Sequence, residues 1–284
     1  MGLGRRNQVF YQMAQEAAPL TLVIAGANGG LGYAFLHLLL GVTAAQRGIQ
    51  NLPLPAETDT SLLPLLPPIR RIYALHRHPA PDLHTDAQTD PRIIPLQIDL
   101  SDDQALKQLH HHIEGPVHGI INATGLLHNT DFTPEKRLQE VQRETLEANF
   151  TANAINHILL IEALLPKLNR HGALLLASLS ARVGSIEDNQ LGGWYAYRAS
   201  KAALNQLVRT TAIELKRLNP ASICVALHPG TTDTSLSKPF QTRLAKDKLF
   251  SPEFAAGALL KVIAHLSPHE SGRFFAWDGK QIPW

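Results

Sequence analysis

The sequence predicts an α/β fold: a single doubly wound domain with seven parallel strands and helices on both faces of the sheet. Short apolar runs alternate with longer helical patterns along the chain, which is typical of a parallel sheet covered by helices. The first run, 21–25, passes through a glycine-rich turn directly into an apolar helix, and no linker or internal repeat divides the chain. We therefore expect one domain over 19–284, preceded by an N-terminal extension over 1–18.

Composition excludes several classes of protein. The 284 residues include 26 basic and 24 acidic side chains, so the net charge of +2 does not indicate a nucleic-acid surface. No apolar run is long enough for a membrane span, so we expect no membrane partner. Cys224 is the single cysteine, which suits a reducing compartment and predicts a cytoplasmic protein.

The order of predicted elements places two special segments. Later strands are predicted at 71–75, 93–98, 117–121, 173–177, 222–227 and 272–277, with helices at 33–40, 101–112, 134–168, from about 195, and at 252–265. The proline-broken segment 41–68 is too long for a simple connection and reads as a surface insertion. Residues 234–250 follow the sixth strand and are expected to form a substrate lid.

The glycine turn after the first strand contains Gly26, Gly30 and Gly32. Glycines let backbone amides approach a pyrophosphate, which the positive end of the following helix then stabilises. The spacing is not that of the common dinucleotide motif, and tight turns also use glycine. Its position between a first strand and a helix favours a nucleotide site.

The end of the second strand indicates which dinucleotide is used. At this position an acidic residue binds a free ribose 2′-hydroxyl, whereas an arginine accommodates a 2′-phosphate. Arg77 stands here and no acid does, which favours NADP(H) over NAD(H); the alternative is an ordinary solvated arginine. Asp99 ends the third strand at the expected ligand edge. The triplet 110–112 is histidine, but consecutive helical positions diverge, so we expect no metal site.

A tyrosine and a lysine, Tyr197 and Lys201, stand four residues apart at the start of an apolar helix. This spacing puts both side chains on one helical face. A neighbouring ammonium favours the ionised phenol and lowers its pKa, so the pair could serve as an acid/base device. Such pairs also arise by chance on amphipathic helices.

These motifs together resemble the short-chain dehydrogenase/reductase family over roughly residues 20–284. The resemblance is carried by the glycine turn, Asp99, the segment 122–125, a serine before Tyr197-x-x-x-Lys201, and Pro229-Gly230, which occur in that family's order. The stretch 192–205 and the closing Trp277-Asp278-Gly279 with Trp284 are similar to the C-factor and sniffer-like carbonyl reductase branch. The resemblance implies a Rossmann-type fold.

The resemblance also implies roles for single residues. Tyr197 would be the general acid/base, Lys201 would lower the tyrosine pKa and hold the nicotinamide ribose, and Ser180 would hydrogen-bond the substrate oxygen. Asn149 would fix a water that links Lys201 to solvent. The implied cofactor-binding residues are Gly26, Asn28, Gly30, Leu31, Gly32, Arg77, Asp99, Leu100, Asn122, Gly125, Tyr197, Lys201, Pro229, Gly230, Thr232 and Thr234.

Two departures from the family pattern leave alternatives open. Ala181 stands where the family commonly has its catalytic serine, so Ser178 and Ser185 remain rivals of Ser180. Because a strand has period two, Ser180 would need a local bulge or shift to serve. Position 29 is glycine where many NADP-using relatives have a basic residue, so the cofactor preference depends on Arg77.

The sequence thus predicts an NADP(H)-dependent carbonyl reductase or alcohol dehydrogenase. The apolar makeup of the lid, including Leu236, Phe240 and Phe250, indicates an apolar or aromatic small-molecule substrate. Relatives of this kind commonly form homodimers or homotetramers, and we expect the same here. One alternative is a C-factor type signalling or sensor protein that binds NADP(H) with little turnover. Another is an epimerase or dehydratase, which would need a larger C-terminal substrate region than this chain has.

Overall fold

Nine strands and seven α-helices make up the described part of the chain. A computed structural model describes residues 19–41, 68–243 and 248–284. The strands are β1 (Leu20–Ala25), β2 (Ile69–His76), β3 (Ile93–Gln97), β4 (Gly119–Asn122), β5 (Leu174–Leu179), β6 (Ser222–His228), β7 (Thr231–Thr232), β8 (Leu249–Phe250) and β9 (Phe274–Ala276). The helices are α1 (Gly30–Leu39), α2 (Pro81–Thr89), α3 (Asp103–His112), α4 (Arg143–Phe150), α5 (Asn156–Leu164), α6 (Tyr195–Leu218) and α7 (Pro252–His265).

The main sheet has seven strands in the order β3-β2-β1-β4-β5-β6-β9. All of its strand pairs are parallel, and β7 pairs with β8 in a separate small sheet. The chain reverses direction of travel across the sheet between β1 and β4, which is the topological switch point where open α/β sheets bind ligands. The predicted Rossmann-type, doubly wound α/β fold is confirmed.

Alternate residues of the central strands face two separate apolar layers. Ile24 of β1 lies in the cluster that includes residues of α1 and α7, while its neighbour Val23 lies in the cluster with α3, α5 and α6. The strands are buried on both faces, so they read as continuous apolar runs. Helix α6 therefore packs against one face of the sheet, where its Leu204 and Val208 side chains are buried.

Two of the predicted helical elements differ from the structure. The helix predicted over 134–168 begins at Arg143, because the preceding residues form a separate short turn, Leu138–Glu140, in which the Glu140 carboxylate accepts from the Lys136 amide. That tract is also interrupted by a π-helical turn, Thr151–Ile155. Helix α2 was not predicted, because Leu83 is its single buried residue and the apolar period is absent.

Parts of the predicted domain plan lie outside the described residues. These are the N-terminal extension 1–18, the surface insertion 41–68 apart from its two end residues, and positions 244–247 of the predicted lid 234–250. Among the described residues, no helix is long and apolar enough to cross a membrane.

Candidate active site

The glycine turn between β1 and α1 is packed so closely that side chains cannot enter it. Gly26 has φ +76°, in the left-handed region, and a Cβ at Gly32 would overlap the Gly26 carbonyl oxygen. A Cβ at Gly30 would lie 2.9 Å from Thr234 Cγ2, so the segment after β6 covers the turn. Asn28 and Leu31 belong to the same turn. The sequence therefore builds a cradle bounded by backbone at the carboxyl end of β1.

The Tyr197 and Lys201 side chains are buried together at the carboxyl ends of β4 and β5. They are 7% and 3% exposed, and Lys201 Nζ lies 5.8 Å from the centre of the Tyr197 ring. Lys201 Nζ donates to the carbonyl of Leu179 at 2.9 Å, and a Cβ at Gly125 would lie 3.5 Å from the same Nζ. The four-residue spacing thus brings a phenol and an ammonium to the ligand edge of the sheet.

Burial controls the protonation of both groups. Burial raises the pKa of the Tyr197 phenol above its ordinary value, and it lowers the pKa of the Lys201 ammonium to about 8. The sequence analysis expected Lys201 to lower the tyrosine pKa. Desolvation dominates instead, because both groups are removed from water.

The structure distinguishes two asparagines that lie one turn apart. Asn153, in the π-helical turn, accepts from the Leu126 amide and donates to the Leu126 carbonyl, each at 2.8 Å, and it donates to Ser200 Oγ at 3.0 Å. A Cβ at Gly125 would lie 3.4 Å from Asn153 Oδ1. Asn149, the residue chosen from the sequence, donates to the Thr145 carbonyl one turn earlier and contacts Asn153 at 3.3 Å.

Asn149 therefore stays a prediction, and the structure adds Asn153 as a second candidate that the sequence did not single out. The two residues share a helical face, so sequence periodicity does not distinguish them. Asn153 lies in the π-helical turn, and such turns frequently occur at functional sites.

The Ser180 hydroxyl has a partner on α6 other than Tyr197. Ser180 Oγ donates to Asn205 Oδ1 at 2.7 Å. Asn205 lies eight residues beyond Tyr197 on α6, which is roughly 12 Å along the helix axis. Ser180 therefore fastens the turn after β5 to α6. The role of Ser180 toward a substrate oxygen stays a prediction.

The two rival serines are also engaged elsewhere. Ser178 Oγ lies 3.2 Å from His157 Nε2, and Ser185 Oγ donates to the Trp284 carbonyl at 3.3 Å while accepting from the Asp188 amide. None of the three serines that the sequence offered has its hydroxyl beside Tyr197 in the described contacts.

A buried histidine joins the ends of β4 and β5. His157 Nδ1 accepts from Asn122 Nδ2 at 2.9 Å, and His157 Nε2 donates to Ser178 Oγ, a tautomer assigned from these partners. Asn122 Oδ1 in turn accepts from the amide and hydroxyl of Thr124. Burial and the charge of Lys201 lower the pKa of His157 to about 3. Because His157 stays neutral, it adds no second cation beside Lys201.

The predicted adenosine residues lie at the ends of the neighbouring strands β2 and β3. Arg77 is exposed and its Nε donates to His78 Nε2 at 3.0 Å. Asp99 is also exposed, and its Oδ1 accepts from the Ser101 amide, while Leu100 is buried. The described structure therefore leaves the Arg77 guanidinium facing solvent at the edge where a ribose 2′-substituent is expected.

The end of β6 carries polar atoms that the protein does not satisfy. Thr232 Oγ1 and His228 Nδ1 are buried without a hydrogen-bond partner in the part of the chain that the structure describes. Pro229 and Gly230 separate them, and a Cβ at Gly230 would lie 2.5 Å from the Phe250 ring. Buried polar atoms are rarely left unpaired, so these two atoms point to a ligand group.

A row of aromatic rings runs from Tyr197 to Phe240, which belongs to the segment predicted as a lid. The Trp194 ring lies 6.2 Å from the Tyr197 ring and 5.1 Å from the Phe240 ring. Phe240 lies 5.6 Å from His128, whose Nε2 donates to the carbonyls of Ser235 and Leu236. We call Trp194, Phe240 and His128 the aromatic wall. It ties the lid to the loop after β4.

The helix carrying Tyr197 begins in an unusual conformation. Trp194 has φ +51°, and it is the one non-glycine residue with positive φ among the described residues. Its amide donates to the Glu135 carbonyl, and the Glu135 carboxylate accepts from the Ala196 amide at 3.3 Å. A carboxylate at a helix N-terminus stabilises the helix dipole. Glu135 thus holds the strained start of α6 in place.

The sheet, the glycine cradle and the buried Tyr/Lys pair at the ligand edge define a doubly wound α/β oxidoreductase. A model of the short chain dehydrogenase family matches residues 71–245. The chain is 36% identical to C-signal of Myxococcus xanthus over 147 residues, covering 52% of this chain and 83% of that protein. The chain therefore belongs to the short-chain dehydrogenase/reductase family and is an enzyme of that family.

Solved structures agree with this assignment. Carbonyl reductase Sniffer of D. melanogaster matches with a TM-score of 0.74 and 25% identity, covering 94% of this chain and all 100% of that one. The NADPH-bound carbonyl reductase from chicken fatty liver matches with a TM-score of 0.75, 25% identity and the same coverage. The resemblance to the C-factor and sniffer-like branch is confirmed.

The lowered pKa of Lys201 predicts a pH-dependent contribution to stability. With a folded pKa of about 8 and an ordinary value of 10.5, the unfolded chain binds more protons between these values. The free energy of unfolding therefore rises with pH through this range. The stabilising contribution of Lys201 is fully present above pH 10.5 and is lost as the pH falls through 8.

Urea denaturation at pH 7.5, 8.5 and 9.5 measures this effect. Relative to Lys201→Met, the wild-type protein should gain roughly 1–2 kcal/mol across this range. The exposed Lys107→Met is the matched control and should track the wild type. A constant difference between wild type and Lys201→Met over the range would contradict the lowered pKa.

Proposed function

We propose that the protein is an NADP(H)-dependent oxidoreductase that transfers a hydride between the nicotinamide and a carbonyl or alcohol substrate. The observation that carries this proposal is the burial of Tyr197 and Lys201 together at the ligand edge, beside Gly125. The matched carbonyl reductase from chicken is an NADPH-bound protein, which supports the same cofactor here. A sensor without turnover would not need a buried acid/base pair.

The residues present fit a dinucleotide. Gly30 and Gly32 have no room for side chains of their own, which keeps the backbone of the turn open to a pyrophosphate, and Thr234 lies against Gly30. The unpaired Thr232 Oγ1 and His228 Nδ1 offer partners at the nicotinamide end. The residues that would hold the cofactor are Gly26, Asn28, Gly30, Leu31, Gly32, Arg77, Asp99, Leu100, Asn122, Gly125, Lys201, Pro229, Gly230, Thr232 and Thr234.

The chain's own residues would manage the proton. The bound cofactor supplies or accepts the hydride. Tyr197 would donate its proton to the substrate oxygen during reduction and take it back during oxidation. Lys201 would bind the ribose hydroxyls and stabilise the phenolate after proton transfer. Asn153 is a positioning residue that would keep the loop at Leu126 and the helix at Ser200 in register with Lys201.

The aromatic wall favours an apolar substrate. Trp194 and Phe240 line the approach to Tyr197, and the lid segment that carries Phe240 also includes Leu236. Each of the three candidate serines has another hydrogen-bond partner, so we take Tyr197 as the group that binds the substrate oxygen. A carbonyl joined to a flat apolar or aromatic group would suit this surface.

Two further expectations remain part of the proposal. Ile155, on the helical tract that carries Asn153, is 46% exposed, which supports a homodimer or homotetramer through this face.

Cys224 is buried as a free thiol, and burial raises its pKa to about 12, so it is protected from reaction. An unreacted thiol is compatible with the expected cytoplasmic location.

Tyr197→Phe should remove nearly all turnover while leaving NADPH affinity almost unchanged. The substitution keeps the ring against Trp194 and removes the proton donor, so we expect a fall of roughly 10²–10⁴-fold in kcat. The measurement is NADPH oxidation with a panel of aldehydes, ketones and quinones, together with NADPH titration by fluorescence. Cofactor binding with no turnover by the wild type on any member of the panel would favour a sensor.

Asn153→Ala should affect catalysis far more than Asn149→Ala. Each substitution removes a buried amide, so each should lower stability by about 1–3 kcal/mol. Only Asn153 contacts both the loop after Gly125 and Ser200 beside Lys201. We expect kcat to fall at least about tenfold in Asn153→Ala, with a displaced pH–rate profile. Equal kinetic losses in the two variants would remove the special role of Asn153.

Arg77→Gln should weaken NADPH binding and spare NADH binding. Loss of a charge-assisted contact with the 2′-phosphate should raise the Kd for NADPH roughly 10–100-fold. The exposed Arg70, at the opposite end of β2, provides the matched control Arg70→Gln. Parallel isothermal titrations with both cofactors measure the effect. An equal loss of NADPH and NADH affinity in Arg77→Gln would show that Arg77 does not select the cofactor.

A further inference from the structure

A second cluster of cationic side chains lies on the outer flank of α6. Arg209 and Lys216 of this helix, with His269 and Arg273 before β9, line an open pocket of about 310 Å³ that also includes Ile213 and Ser271. We call this the α6/β9 pocket. Arg209 lies twelve residues beyond Tyr197, about 18 Å along the helix axis. The pocket is therefore separate from the candidate active site.

Its positive charges are not balanced by the protein. None of the ion pairs found among the described residues includes Arg209, Lys216 or Arg273. Glu270 is nearby in sequence, but its carboxylate accepts from the amide and hydroxyl of Ser267. Glu214 is five residues from Arg209, which places it about 140° around the helix from the pocket.

The helix dipole accounts for only part of this cluster. Lys216 is in the last turn of α6, where a cation interacts favourably with the helix C-terminus. Arg209 lies more than two turns from that end, and Arg273 belongs to another segment. Like charges gathered at one pocket repel one another, so their convergence indicates an anionic ligand.

Arg209 is held in a position from which it can bind an anion, and Arg273 makes one long contact, from its Nη1 to Gln281 Oε1 at 3.5 Å. Arg209 donates one Nη1 bond to the Gly272 carbonyl at 3.0 Å, which fixes the guanidinium and leaves its other donors available. Ser271 Oγ accepts from the Cys224 amide at 3.0 Å and retains its own proton to donate. Guanidinium groups match phosphate oxygens in bidentate geometry better than an ammonium does.

We propose that the α6/β9 pocket binds a compact phosphate-bearing anion, such as pyrophosphate or the phosphate end of a small metabolite. The volume is at the lower end of small-ligand sites, so a small molecule fits. Arg209 and Arg273 bind the phosphate oxygens, and Lys216 supplies a further charge. The exposed Ile213 side chain borders the organic part of such a ligand.

Isothermal titration with sodium pyrophosphate at constant ionic strength tests the proposal. Saturating NADP⁺ is present in one arm, so that the proposed cofactor cleft cannot take up the anion. We expect one site per chain that persists in this arm. The double variant Lys216→Gln/Arg273→Gln should weaken binding at least about tenfold. The control Lys107→Gln/Lys261→Gln removes the same charge from exposed lysines elsewhere and should change binding less than about twofold.

A second variant guards against a folding defect in the first. Ile213 is 49% exposed, so Ile213→Glu should keep the thermal midpoint of the wild type while its carboxylate repels the anion. Three results would overturn the proposal: no pyrophosphate binding by the wild type, loss of binding when NADP⁺ is present, or equal weakening in the pocket and control variants. If NADP⁺ does not bind, the comparison of pyrophosphate affinity between the pocket variants and the control variant still tests the proposal.

Discussion

An ammonium removed from water at the edge of a parallel sheet is the constraint on which the rest of this site depends. Lys201 is nearly fully buried, and its one described hydrogen bond is to the Leu179 carbonyl. Burying a charge is costly unless polar groups surround it, which is why its pKa falls to about 8. The turn after β5 is shaped to this residue, since a Cβ at Gly184 would lie 2.7 Å from Lys201 Cβ.

The polar groups around Lys201 follow from the same constraint. A second cation nearby would be unfavourable in a low dielectric, and His157 is neutral because burial and the Lys201 charge lower its pKa, while Asn122 and Ser178 satisfy both ring nitrogens. Asn153 in turn satisfies both backbone groups of Leu126, so that the loop after Gly125 carries no unpaired polar atom at this point. The ends of β4 and β5 are therefore fixed by side-chain amides and one imidazole.

The fold could be predicted from the sequence because it depends on local patterns. Apolar runs buried on both faces, the glycine turn and the Tyr197/Lys201 spacing are each visible in a short window. Asn149 and Ser180 were assigned from the same kind of window; the structure adds Asn153 as a second candidate and gives Ser180 a hydrogen-bond partner, Asn205, outside that window. The choice between Asn149 and Asn153 depends on a π-helical turn, and the orientation of Ser180 depends on Asn205 in another element. Both features depend on tertiary structure, which the periodicity of a short stretch of sequence does not encode.

At the start of α6, Trp194 contacts both Tyr197 and Phe240, a residue of the segment that was predicted to form a lid. Gly192, Gly193 and Trp194 all have positive φ, and for a bulky residue such as Trp194 this conformation is strained. Strain of that kind persists only when several contacts impose it, and here Glu135 holds the backbone while Phe240 of the lid packs on the indole. The Trp194 ring also contacts the Tyr197 ring. The segment that carries Phe240 therefore supplies one of the contacts that maintain Trp194, and Trp194 in turn packs beside the phenol.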